Sequence, residues 1–327
     1  MRSFGKWLGR GIAILILLGV GLWAFGPYEP VTRSGPFTAD VSDPDVYFSQ
    51  VEAAFDDITD GAEKRIVWFG AVGGVTPISV IYLHGFSATS EEVRPLPDQV
   101  AQALGANLVY TRLRGHGRTG AAMAEATAGD WINDTAEALA VARQVGGEVL
   151  ILSTSTGGTL AAIAATEPDL ADRLAGIVFI SPNFGLSNPL GALLTWPAAR
   201  YWAGYVVGHE RSFPTSNELH ATYWTSQYPT VATLPMGALV QNTVARDFSG
   251  VDVPALFLFN EADRVVSATV TREIAQRWGA PATIIPQTLP AEGADPWGHV
   301  LAGDALSPAM TEPMTAVILE WFAQGRG

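Results

Sequence analysis

Across residues 64–184 and 251–327, short apolar runs alternate with stretches whose apolar positions recur every three to four residues. The short runs, often rich in Val, Ile, Leu and Phe and edged by Gly, Pro or polar residues, predict strands at Arg65–Phe69, Ile78–Leu83, Asn107–Leu113, Glu148–Ser153, Gly176–Ile180, Ala255–Phe259 and Ala282–Pro286. Between them the helical period predicts helices at about 91–104, 131–144, 157–166, 267–278 and 308–324, with Asp130 placed to cap the second. This alternation describes an α/β protein, a mostly parallel sheet with helices on both faces. In such sheets reactive groups collect at the carboxyl ends of the strands.

The rhythm breaks twice. Residues 185–250 form a stretch of 66 residues without regular strand–helix alternation, too long for a loop and expected to be an inserted helical cap. Its aromatics, Trp196, Tyr201, Trp202, Tyr205, Phe213, Tyr223, Trp224 and Tyr228, suit either an acyl-chain pocket or the packing of the cap itself. At the other break, Arg2, Lys6 and Arg10 precede Gly11–Tyr28, 18 uncharged and mostly apolar residues. Trp7 and Trp23 flank this run, and their spacing corresponds to about 24 Å of helix, near the thickness of a bilayer core. The organisation that follows is a membrane anchor over 1–28, a connector over 29–63, a core over 64–184 and 251–327, and the cap over 185–250. Basic residues ahead of the apolar run favour a cytoplasmic N-terminus and an extracytoplasmic body. A cleaved signal peptide is the alternative, although no Ala-x-Ala follows the run and Ala24-Phe25-Gly26 is the nearest approximation.

Composition changes the picture in three respects. With 48% hydrophobic and 16% charged residues, the chain can fill a large core. Its net charge is −13, and because residues 1–30 are net basic the remainder is more acidic still, which excludes nucleic acid as a natural partner. There are no cysteines, so disulfides, thiolate metal sites and cysteine nucleophiles are excluded. No His/Asp/Glu group has metal-ligand spacing and no Gly-rich phosphate loop follows a strand, so neither a metal nor a cofactor is expected.

The sharpest signal is Ser153-Thr154-Ser155-Thr156-Gly157-Gly158 between the apolar run Val149–Leu152 and the helical stretch Leu160–Ala165. A strand entering a tight turn of small residues and leaving as a helix is the setting of a nucleophile elbow, with Ser155 at its tip and Ser153 and Gly157 as the required small neighbours. A serine hydroxyl needs a base, and the base an orienting acid. Of five histidines, His299 lies farthest beyond Ser155, in a loop before the last helix, and is the candidate base. Asp263, after the strand Ala255–Phe259, is the candidate acid, with Glu261 and Asp295 as competitors. A tetrahedral oxyanion also needs preorganised amides. The turn His84-Gly85-Phe86 supplies the Phe86 N–H, and the elbow supplies the Thr156 N–H. The other histidines read as structural: His84 and His116 as loop-holding hydrogen bonders, His209 and His220 as polar residues of the cap. Asp134, with Asp130, reads as a residue that solvates its helix.

Together with Gly115-His116-Gly117, these motifs resemble the α/β-hydrolases of the monoacylglycerol lipase, lysophospholipase and serine-aminopeptidase-like group over roughly residues 64 to 324. The resemblance implies an oxyanion turn at His84, Gly85 and Phe86, a supporting Gly-His-Gly at 115–117, and a triad of Ser155, Asp263 and His299. Ser153 stands where glycine is usual and Thr154 where histidine is frequent, and neither change removes a catalytic group. The expected activity is hydrolysis of carboxylic esters of lipid-like or other apolar acyl groups through an acyl-enzyme on Ser155. The expected partners are a small-molecule ester and, through the N-terminal helix, a membrane. An amidase or aminopeptidase would use the same triad, and a non-catalytic binding module could keep the same fold. A haloalkane or epoxide reaction would need a carboxylate where Ser155 stands.

Overall fold

A computed structural model describes residues 2–325. Its strands are β1 (Arg65–Val67), β2 (Thr76–Leu83), β3 (Asn107–Tyr110), β4 (Gly146–Thr154), β5 (Leu174–Ile180), β6 (Glu210–Ser212), β7 (Gln227–Pro229), β8 (Ala255–Phe259) and β9 (Ala282–Pro286). Its α-helices are α1 (Arg2–Phe25), α2 (Pro44–Glu52), α3 (Leu96–Leu104), α4 (Gly120–Met123), α5 (Ala128–Val145), α6 (Thr156–Thr166), α7 (Pro168–Ala171), α8 (Ala199–Val207), α9 (Glu218–Tyr223), α10 (Thr233–Val244), α11 (Ala268–Gln276) and α12 (Thr311–Gln324). Seven strands form one sheet in the order β1-β3-β2-β4-β5-β8-β9, parallel except for the antiparallel edge strand β1. The short antiparallel pair β6–β7 lies within the 185–250 segment.

Side chains alternate across the sheet and so build two cores. Ile81 and Leu83 of β2, Val149 and Ile151 of β4, and Phe257 of β8 pack on one face with α5, α6 and α11. Val80, Tyr82, Leu150, Leu152, Leu256 and Leu258 point the other way, onto Val100 and Ala101 of α3 and Met314 and Ile318 of α12. Both faces are covered, which is why the strands read as continuous apolar runs rather than as alternating ones. Helix α6 is apolar all round, and every residue from Thr156 to Ala165 is buried.

The strands predicted at 255–259 and 282–286 have those bounds, and the others differ at their ends. β3 stops at Tyr110 rather than Leu113, because the chain leaves the sheet to place Arg112 and Leu113 in buried loop contacts. The helix expected over 91–104 is a 3₁₀ turn at Ser90–Glu92 followed by α3, with Pro95, which has no amide hydrogen, between them. Thr127, not Asp130, caps α5. Asp130 is the third helical residue and returns a bond to the Thr127 amide, completing a capping box. Asp134 does not solvate the helix but turns inward, accepting from Lys64 Nζ at 3.2 Å and the Arg114 amide at 2.6 Å.

The 29–63 region is not a loose tether. Helix α2 is capped by Asp43 and buries Phe48, and Glu52 at its end forms a two-pronged ion pair with Arg112 at 2.8 and 2.9 Å. Arg112 is 3% exposed and also donates to the His116 carbonyl, so the pair binds the connector to the Gly115-His116-Gly117 loop. Removing one partner of a buried pair strands the other charge. Arg112→Ala should therefore lower unfolding free energy by about 3–5 kcal/mol in urea titration, with a milder loss in the double variant Glu52→Leu/Arg112→Met. A cost near zero for Arg112→Ala would show that the connector contributes no stability through this contact.

Candidate active site

The turn from β4 to α6 leaves almost no room. A Cβ on Gly157 would stand 2.0 Å from the Leu83 carbonyl oxygen and 2.9 Å from that of His84. The backbone meets this constraint by placing Ser155 at φ 51°, in a region that non-glycine residues seldom occupy. Four hydrogen bonds hold it there: the Ser155 amide donates to the Ile180 carbonyl at 3.1 Å, and the Ser155 carbonyl accepts from Gly158, Thr159 and Asn183. Ser153 is fully buried, and its hydroxyl donates to the Val178 carbonyl at 2.8 Å. A serine therefore fits where a smaller residue is usual, because the neighbouring strand satisfies its hydroxyl.

Asp263 and His299 come together across two loops. His299 Nδ1 lies 2.8 Å from Asp263 Oδ2, and Asp263 Oδ1 accepts from the Val265 and Val266 amides at 2.7 and 3.0 Å. These bonds leave the carboxylate few conformations. Glu261 is exposed and paired with Arg272, away from the histidine. The oxygens of Asp295 are occupied differently, accepting from the Trp297, His299 and Val300 amides and so shaping the loop that carries His299. Burial alone would lower the His299 pKa. The charge and hydrogen bond of Asp263, with smaller contributions from Glu92 and Asp295, reverse this and raise it.

His84 and His116 hold loops in place. The His84 ring accepts from the Leu113 amide at 3.1 Å through Nε2, and its Nδ1 meets the Gly85 carbonyl at 2.9 Å. Burial lowers its pKa to about 4. His116 packs against Phe86 and Trp131, and burial with its neighbour His84 pushes its pKa well down, so both rings are neutral near pH 7. Gly115 and Gly117 adopt φ of 82° and 63°, and a Cβ on Gly115 would collide with the Ala122 carbonyl at 2.6 Å.

Ser155, His299 and Phe86 line one cavity of about 500 Å³. Its outer wall comes from the 185–250 segment, including Leu186, Leu190, Leu194, Phe213, Trp224 and Tyr228. The aromatics of that segment therefore divide. Phe213, Trp224 and Tyr228 face the cavity, Tyr201 and Tyr205 are exposed, and Trp202 packs on Trp196. His220, expected as a polar surface or lid residue, is not on the surface but is a buried part of the cavity wall within that segment, stacked on Phe213 and accepting from the Ser216 amide. Sequence reasoning also missed Glu92, a buried carboxyl in the same wall, because a single Glu beside Glu91 carries no motif.

A family profile for serine aminopeptidases (Hydrolase_4, S33) matches residues 76–285, which include β2 through β8, all but the last residue of β9, and most of the residues that line this cavity, though not His299. The chain belongs to this family. Over 194 residues, 58% of the chain and 72% of the relative, it is 30% identical to a thermostable monoacylglycerol lipase from Bacillus sp. strain H-257. Among solved structures, a metagenome-derived lipolytic enzyme of the LipS and LipT study superposes with a TM-score of 0.63 at 22% identity, covering 82% of this chain and 99% of that one. The monoacylglycerol lipase of Paleococcus ferrophilus superposes with a TM-score of 0.56 at 14% identity, covering 80% of this chain and 98% of that one. The α/β-hydrolase has a mostly parallel sheet, helices on both faces and a helical insertion between β5 and β8, and it is a hydrolase of the esterase and lipase type.

Proposed function

We propose that this α/β-hydrolase cleaves carboxylic esters of apolar, lipid-like acyl groups through an acyl-enzyme on Ser155. One observation carries the reading: Ser155 on its strained turn and His299, bonded to Asp263 behind it, line the same cavity, whose outer wall is largely apolar. Ser155 Oγ attacks the ester carbonyl while His299 Nε2 takes its proton. Asp263 holds the opposite ring nitrogen and stabilises the imidazolium. The amides of Phe86 and Thr156 receive the oxyanion, and the proton on His299 passes to the departing alcohol. Water, activated by the same histidine, then releases the acid.

The N-terminal helix supports a membrane-tethered form of this enzyme. Lys6–Phe25 has a mean hydropathy of 2.0 over an 18-residue window with no buried residue, and the basic residues Arg2, Lys6 and Arg10 lie at its N-terminal end. Its C-terminal end meets the 185–250 segment. Trp23 packs edge-on against Trp196 at 5.9 Å, the Ala198 amide donates to the Pro27 carbonyl at 2.7 Å, and Glu29 pairs with Arg200. Cleavage of a signal peptide after residue 26 would remove the first of these contacts. The helix is therefore read as a retained anchor, with the catalytic body outside the cytoplasm.

Three outcomes test the proposal. Fluorophosphonate should label Ser155, and Ser155→Ala should abolish labelling and lower turnover by roughly 10⁶. Asp263→Asn should lose roughly 10⁴ while Glu261→Gln changes little. Because neutral His299 is the base and its pKa is raised, kcat/KM should climb with pH through a midpoint above about 6.5, and Asp263→Asn should move that limb to lower pH. An adduct on another residue, or a larger loss in Glu261→Gln than in Asp263→Asn, would overturn the triad.

With nitrophenyl esters, activity should rise with acyl length up to a steric limit, since each buried methylene contributes about 0.8 kcal/mol. A strict preference for acetyl esters, or for peptide N-terminal amides, would refute the lipid-like reading. In cell fractionation the protein should stay in membranes through high-salt washing and retain residues ahead of Gly26. A soluble exported form beginning near residue 27 would identify the segment as a signal peptide.

A further inference from the structure

Glu92 is 2% exposed, and among the described residues no lysine or arginine pairs with it. Leaving a carboxyl in such a place is costly unless its oxygens are well used. Glu92 Oε2 accepts the Gly85 amide at 2.7 Å and the Tyr82 hydroxyl at 2.8 Å. The Tyr82 hydroxyl in turn shares a hydrogen bond with Thr154 Oγ1 at 3.0 Å. Gly85 immediately precedes Phe86, and Thr154 immediately precedes Ser155. One oxygen therefore ties together the residue before the oxyanion donor and the residue before the nucleophile. There is no slack between them: a Cβ on Gly85 would lie 2.6 Å from Glu92 Oε1 and 3.2 Å from Ser155 Cβ.

We propose that Glu92 is a positioning residue of this hydrolase, fixing the oxyanion turn relative to the nucleophile through Gly85, Tyr82 and Thr154. The proposal rests on the reading of Ser155 as nucleophile and of the Phe86 amide as oxyanion donor. Register supports it, because β2 and β4 are adjacent and pair Tyr82 with Leu152 and Leu83 with Ser153. The ladder between β2 and β4 ends there, so beyond Leu83 and Ser153 strand pairing no longer fixes one turn against the other, and the Glu92–Tyr82–Thr154 bonds bridge them. A residue that only filled space could be apolar. The bonds to Gly85 and Tyr82 require an acceptor.

The test compares three variants with wild type in steady-state hydrolysis of a nitrophenyl ester, with thermal melting as the control for folding. Glu92→Ala should lower kcat roughly 10²-fold with KM within about threefold, since a misplaced oxyanion donor forfeits much of what that donor contributes. Glu92→Gln keeps a carbonyl oxygen able to accept both bonds and should recover to within about fivefold of wild type. Tyr82→Phe cuts the link to Thr154 but leaves the bond to Gly85, and should lie between them, about tenfold down. Wild-type kcat in Glu92→Ala, or equal damage in Glu92→Gln and Glu92→Ala, would overturn the proposal. If Glu92→Ala does not fold, Tyr82→Phe with an unchanged kcat and melting point overturns it alone. Failure of fluorophosphonate to label wild type at Ser155 would instead overturn the underlying reading, and this one with it.

Discussion

Between the end of β2 and the first turn of α6 the backbones come so close that the Leu83 carbonyl leaves no space for any side chain at position 157. The rest of the site depends on this contact. The approach is so close because both elements arise from adjacent parallel strands: β2 ends beside β4, and β4 becomes a helix within one residue. The chain can turn that sharply only with Ser155 at positive φ, a cost of order 1–3 kcal/mol that the four surrounding backbone hydrogen bonds offset. The same turn lifts the Ser155 side chain above the sheet and presents the first amides of α6, which have no partner inside the helix. The position of the serine hydroxyl and that of the amides proposed to receive the oxyanion thus follow from one steric fact.

Burial then assigns the protons. His84 and His116 are enclosed by apolar neighbours and lose affinity for a proton, so they serve as fixed hydrogen-bonding blocks between the β2 turn and the 113–117 loop. His299 is also buried, though it lines the cavity, and it faces a carboxylate whose other oxygen is held by two amides. That difference in partner reverses the direction of the shift. Buried histidines are thereby shifted in opposite directions.

How far the sequence reveals this varies with the length of the interactions. The strands were legible because two covered faces force continuous apolar runs, and 255–259 and 282–286 could be bounded to the residue. The elbow was legible because strand, small residues and helix are contiguous. Asp263 could be preferred to Glu261 only by position, whereas the fold separates them through Arg272, which draws Glu261 away. Thr127 lost the capping assignment to Asp130 because both residue types cap helices and a capping box uses one of each. Glu92, His220 and the split among the aromatics of 185–250 were illegible, since each depends on contacts between segments with no local pattern.

The 185–250 segment touches both the cavity and the N-terminal helix. Leu194 lines the cavity, and two residues later Trp196 meets Trp23 at the end of the N-terminal helix. These two contacts lie at the end of one short helical stretch, Pro189–Thr195, which packs against α10. Helix α10 in turn contributes Met236 and Leu239 to the core beneath the sheet. The stretch therefore lies between α10, the cavity that Leu190 and Leu194 line, and the contact of Trp196 with the N-terminal helix. A shift of α1 relative to the body would be felt at the Trp23–Trp196, Pro27–Ala198 and Glu29–Arg200 contacts, next to the residue that lines the cavity. The shape of the cavity wall at Leu194 and the packing of the N-terminal helix at Trp196 therefore depend on the same short stretch.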